Sequence, residues 1–84
     1  MNRMPEVELI PAARAFNLGI ACYSPLARGI LSGKYQPGSN APPDTRAGRA
    51  DRRLMETEWR PESLAIAQTL KEHAAKKGRP LIDL

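Results

Sequence analysis

Apolar residues fall along this chain in two periodic stretches, separated by tracts with no helical period. Near the start, Leu9, Ala12, Ala13 and Phe16 share one face at helical spacing. Glu6 and Glu8 place negative charge where the positive end of a helix belongs. Pro11 is tolerable there only in the first turn, and Gly19 is the expected stop. A compact apolar run, Ile20-Ala21-Cys22-Tyr23, follows and reads as a buried parallel strand, which Pro25 bars from continuing in a ladder. Residues 27–31 fit a short turn of helix whose N-terminus would add backbone donors to an anion site. A second amphipathic helix is predicted over residues 61–77. Pro61 suits its first position and Glu62 its positive end, Leu64, Ala67, Leu70 and Ala74 line a face, and Lys76, Lys77 and Gly78 close it. Leu81-Ile82-Asp83-Leu84 has the pattern of a helix just beginning.

Between the strand and the second helix, residues 36–60 carry Pro37-Gly38, Asn40, Pro42-Pro43 and a run of charges, which together predict one long loop. Loops of that length are uncommon in compact domains and are often functional. Trp59, two residues before Pro61, is read as an anchor that pins the loop and shares a cluster with Leu54 and Met55.

Composition narrows the class without fixing the function. The formal charge of +4 invites an acidic partner, but Arg46, Arg49, Arg52 and Arg53 lie together in the loop rather than on a helix face. Neither Trp59 nor the tyrosines alternate with them as a base-stacking platform would require, so nucleic acid is not the expected partner. Cys22 is the single cysteine, which excludes an internal disulfide, and its apolar neighbours predict a buried thiol. No apolar run approaches the roughly 18 residues of a membrane span, and the start lacks a basic region followed by an apolar core. A cytoplasmic protein with no membrane contact is expected. His73 stands among Lys71, Glu72, Lys76 and Lys77, which predicts a solvated face. No second histidine or cysteine lies at metal-ligand spacing, so no metal is expected.

The chemistry concentrates in Tyr23-Ser24-Pro25-Leu26-Ala27-Arg28-Gly29-Ile30-Leu31-Ser32-Gly33-Lys34-Tyr35. Ser24 offers a hydroxyl, Gly29 and Gly33 let backbone approach a ligand closely, and Arg28 and Lys34 supply positive charge. These features describe an anion cradle whose natural guest is a phosphate or pyrophosphate.

The same run resembles the seventh-strand motif of the aldo-keto reductase family, in the version carried by its bacterial oxidoreductases and potassium-channel beta subunits. The resemblance extends upstream through Asn2-Arg3 and Glu8-Leu9-Ile10-Pro11, and downstream through Pro42-Pro43-Asp44-Thr45-Arg46-Ala47 to Lys77-Gly78. It implies an α/β architecture, a (β/α)8 TIM barrel, and reduction of aldehydes and ketones with a nicotinamide cofactor, NADP(H). The partners it implies are therefore that cofactor and a small carbonyl substrate. By resemblance, Tyr23 stacks on the nicotinamide ring, Ser24 bonds the pyrophosphate, and Pro25 shapes the turn. Leu26, Ala27, Arg28 and Gly29 contact the cofactor through the backbone, Lys34 approaches its phosphates, and Arg46 packs against its adenine end. A barrel of this kind takes about 250 residues, so the 84 residues here are expected to form one partial domain, truncated at both ends. That part comprises a helix, strand seven, the long cofactor loop and a further helix. The family's proton-donating tyrosine and its tuning residues match nothing in this chain, Tyr23 and Tyr35 included, so no catalytic residue is assigned and the isolated segment is expected to be inactive and to self-associate. Two other readings stay open: a non-catalytic barrel relative that regulates another protein, and a basic anion-binding fragment.

Overall fold

The computed structural model describes residues 2–84. Its described elements are all helical. A short 3-10 turn at Met4–Glu6 leads into helix α1, Leu9–Ala15. A kinked 3-10 segment spans Ala27–Ser32, helices α2 and α3 cover Arg52–Thr57 and Pro61–Lys76, and a last 3-10 turn lies at Leu81–Asp83.

Helix α3 forms where its apolar period and punctuation place it. Pro61 opens it, Glu62 lies in its first turn, and Leu64, Ala67 and Ala74 are buried along one face. At its end the amide of Arg79 donates to the carbonyl of Ala74 at 3.0 Å and that of Gly78 to Ala75 at 2.9 Å. This is the paired-bond cap that requires a left-handed residue, and Gly78 supplies it at φ +67°. Helix α1 ends by the same device earlier than expected: Asn17, not Gly19, takes the left-handed position at φ 53°, and the amide of Leu18 donates to the carbonyl of Ala13 at 2.8 Å. Asparagine tolerates that conformation better than most residues.

The core gathers Ile30, Tyr35, Ala47, Leu54, Leu64 and Ala67, with Ala41, Met55 and Trp59 packed against it. Ile30 and Leu54 are its largest fully buried side chains. Tyr35 and Trp59 meet edge to face, with ring centroids 5.0 Å apart, the arrangement that aromatic quadrupoles favour. Trp59 is thus the anchor its position predicts, in one cluster with Leu54 and Met55.

The stretch over residues 36–60 is more ordered than its composition implies. The hydroxyl of Thr45 donates to the carbonyl of Pro42 at 2.6 Å and accepts from the amide of Gly48 at 3.1 Å, while Ala47 is buried under Tyr35, whose hydroxyl accepts from the Ala47 amide at 3.2 Å. Asp51 then caps α2 by accepting from the amide of Leu54 at 3.0 Å. A helix of six residues is under two turns and leaves no readable period, which is why it was hidden among the charges.

The apolar run at residues 20–23 does not form a strand, and no strand occurs among the described residues. A strand needs at least one partner to take up its backbone hydrogen bonds, and this chain carries one candidate only. Ile20 and Cys22 are consequently exposed rather than buried. Helix α1 shares that situation: of its expected apolar face Ala13 is buried, but Leu9 and Phe16 remain exposed.

Candidate functional site

The motif folds as a succession of left-handed turns. Ser24, Ala27 and Arg28 adopt φ of 52°, 47° and 54°, and Gly29 and Gly33 follow at 96° and 80°. The left-handed region costs an L-residue about 1–2 kcal/mol, and residues held there cluster at ligand clamps and switch regions. Internal bonds hold these turns: the amide of Ala27 donates to the carbonyl of Ser24 at 3.0 Å, and the amides of Gly29 and Leu31 donate to that of Leu26 at 2.9 and 3.1 Å. Burial of Ile30, immediately after, anchors them to the core.

Lys34 folds back over this turn. A β-carbon placed on Gly29 would lie 3.5 Å from both Cε and Nζ of Lys34, so Gly29 provides the positive φ and the open face on which the lysine rests. The ammonium stands 5.2 Å from the centre of the Tyr35 ring, within cation–π range. Charge and backbone turn are therefore brought together as the sequence implies.

The other residues singled out from sequence separate into two groups. Tyr23, Ser24, Pro25, Ala27 and Arg28 line one open groove, which also includes Cys22. Tyr23 is 89% exposed at its rim. Leu26 faces a smaller apolar pocket with Leu31, Leu70 and Leu81. Arg46 is not among the groove residues; its Nε pairs with Asp51 at 3.0 Å. That carboxyl is held below its ordinary range chiefly by the hydrogen bond from the Leu54 amide, with Arg46 adding to the effect.

Two participants were not anticipated. Glu58, just after α2, pairs with Arg28 at 3.7 Å and lines the groove, fixing a guanidinium for which only a backbone role was foreseen. Lys71 of α3 is half-buried rather than solvated, and its ammonium donates to the carbonyl of Gly33 at 3.1 Å. Its register was the available signal: it stands four residues after Ala67 and three before Ala74, on the buried face. His73 is exposed in the last turns of α3, and no group of His, Cys, Asp and Glu among the described residues stands close enough to hold a metal ion.

The motif thus presents left-handed turns with Lys34 folded onto Gly29, and an exposed aromatic at the rim of a groove that neither Gly29 nor Lys34 lines. The chain matches the Aldo/keto reductase family over residues 1–84 and belongs to it. It is 49% identical to the uncharacterised oxidoreductase YrpG of Bacillus subtilis over 51 residues, 61% of this chain and 15% of that protein. It is 46% identical to a probable voltage-gated potassium channel subunit beta of Oryza sativa subsp. japonica over 41 residues, 49% of this chain and 12% of that protein. With the aldo-keto reductase pigE of Monascus ruber the identity is 31% over 85 residues, 90% of this chain and 24% of the relative. The chain thus spans no more than 24% of the length of these relatives. No solved structure matches it. Membership implies the (β/α)8 barrel as the family architecture, although the described residues contain no strand.

Proposed function

We propose that residues 23–34 form the cofactor-facing turn of an NADP-dependent aldo-keto reductase that reduces aldehydes or ketones to alcohols, the chain being one segment of that barrel. The observation that carries this reading is the Lys34 ammonium seated on Gly29, in the same turn that presents the Ser24 hydroxyl and the Tyr23 ring to the groove. These residues suit a dinucleotide. Tyr23 offers an exposed face for the nicotinamide ring, Ser24 and Lys34 offer a donor and a charge for the pyrophosphate, and Pro25 sets the turn. The amides of Ala27 and Gly29 already donate within the turn, so the hydroxyl and the ammonium carry most of the anion contact. Arg46 is assigned to the adenine end, which requires it to leave or share Asp51. When bound, the cofactor supplies the hydride. The proton donor is assigned to residues outside this chain, because neither Tyr23 nor Tyr35 matches the family's proton-donating tyrosine and the Tyr35 hydroxyl lies buried in the core against the Ala47 amide.

Fluorescence titration of the reduced cofactor into a complete barrel carrying this segment tests the reading. Lys34→Ala removes one charge-assisted contact at an exposed site and is expected to weaken binding about tenfold. The loss should shrink as salt rises, while turnover at saturating cofactor stays near the parent's. If Lys34→Ala and Ser24→Ala both bind as tightly as the parent, the motif is a structural turn and the reading fails. The likeness to a potassium channel beta subunit favours a second reading, a barrel that binds cofactor to regulate another protein. Tight cofactor binding without turnover of any aldehyde or ketone would select it.

A further inference from the structure

We infer that Lys71 is a positioning residue for this turn, fixing the peptide between Gly33 and Lys34 so that the Lys34 ammonium is held over Gly29; the inference rests on the cofactor reading above. Both polar atoms of that one peptide are engaged. Its carbonyl, from Gly33, accepts from the Lys71 ammonium at 3.1 Å across 38 positions of sequence. Its amide, from Lys34, donates to the Ser32 hydroxyl at 3.5 Å, and that hydroxyl in turn donates to the carbonyl of Gly29 at 2.6 Å. A peptide group is planar, so the 3.1 Å bond at its carbonyl, with the longer contact at its amide, restrains its plane and with it the position of the Lys34 Cα from which the side chain departs. The stem of Lys71 adds a steric component: its Cδ and the Cδ2 of Leu81 each lie 3.7 Å from where a β-carbon on Gly33 would stand.

The placement of Lys71 calls for an explanation of this kind. It shares the face of α3 that buries Leu64, Ala67 and Ala74, where a long apolar residue would pack without giving up hydration of a charge. None of the ion pairs among the described residues involves it, so its partner is the Gly33 carbonyl rather than a carboxylate. A charge-assisted bond to a single carbonyl is directional, which is what orienting a peptide requires. Helix α3 thereby reaches the anion site without touching the anion.

A double-variant cycle on cofactor affinity, measured in the complete barrel carrying this segment, tests the role. Lys71→Met keeps the stem and removes the donor, and is expected to weaken binding of the reduced cofactor about fivefold. Lys71→Arg, which keeps a donor, should stay within about twofold of the parent. Because Lys71 acts through Lys34, the combined Lys34→Ala and Lys71→Met variant should bind no more weakly than Lys34→Ala alone. Turnover at saturating cofactor should be unchanged in Lys71→Met, which places its effect in cofactor affinity alone. Losses that multiply in the double variant would overturn the inference, since Lys71 would then be an independent contact. So would parental affinity in Lys71→Met alongside weakened Lys34→Ala, a result that leaves the cofactor reading standing. Parental affinity in Lys34→Ala and Ser24→Ala would instead remove the cofactor reading itself, and this inference with it.

Discussion

At the scale of single residues, the heaviest constraints lie where backbone groups have no room to give way. A β-carbon on Gly48 would overlap the carbonyl of Pro42; both partners are backbone, and the Thr45 hydroxyl already ties them together. Gly48→Ala should therefore open the whole turn over residues 42–48. A urea-denaturation midpoint should fall further for it than for Gly78→Ala, where no atom stands in the way and only the left-handed φ is penalised, at about 1–2 kcal/mol. Equal midpoints would show that the close approach is relieved cheaply. Tyr35→Phe keeps the ring against Trp59 but leaves the Ala47 amide without its acceptor, a loss of about 1–3 kcal/mol for a buried donor. Denaturant titration should detect it, and an unchanged midpoint would mean that water replaces the hydroxyl. Residue chemistry of this sort was only partly legible. The motif around Ser24, Gly29 and Lys34 announced charge and tight turns. Lys71, by contrast, was masked by its polar neighbours Glu72 and His73, although its register with Ala67 and Ala74 pointed inward.

At the scale of elements, legibility followed length and caps. Helix α3 carries four turns of apolar period between a proline and a glycine, and it forms within a residue of its expected bounds. Helix α2 is too short for a period, and its one sequence signal is Asp51 three residues before Leu54. That cap makes α2 the acid-sensitive element. The Asp51 carboxyl is depressed in the folded chain, first by the Leu54 amide and further by Arg46. Its contribution to stability is thus complete above the unfolded value of about 3.9 and disappears as pH falls through the lower folded value. Helicity in α2 should decline over that acid window in the parent, whereas Asp51→Asn should show a flatter dependence when followed by amide exchange of Leu54 and Met55. Identical pH profiles would show that the cap contributes nothing through its charge. The apolar run at 20–23 illustrates the opposite case: its composition was that of a strand, but strand formation is settled by neighbours, and one strand has none.

At the scale of the whole molecule, the 84 residues are not compact. The radius of gyration is 14.8 Å, against about 12 Å for a globular domain of this length. The excess lies toward the start, where Val7, Phe16, Leu18 and Tyr23 are all more than 60% exposed. In a barrel those side chains would face neighbouring elements; alone they favour association. Sedimentation of the isolated chain should show oligomers growing with concentration, and a strict monomer at high micromolar concentration would show that this surface is tolerated. No helix among the described residues is long and apolar enough to cross a membrane, so that surface is not a transmembrane helix. The central claim is that the turn from Tyr23 to Lys34 faces a nicotinamide cofactor, and amide chemical-shift mapping of a complete, isotope-labelled barrel carrying this segment tests it most directly. Addition of the reduced cofactor is expected to shift the resonances of Ser24, Leu26, Gly29 and Lys34 most strongly within this segment and to leave the exposed face of α3 around His73 unmoved. Saturable cofactor binding with those four resonances unshifted would contradict the claim.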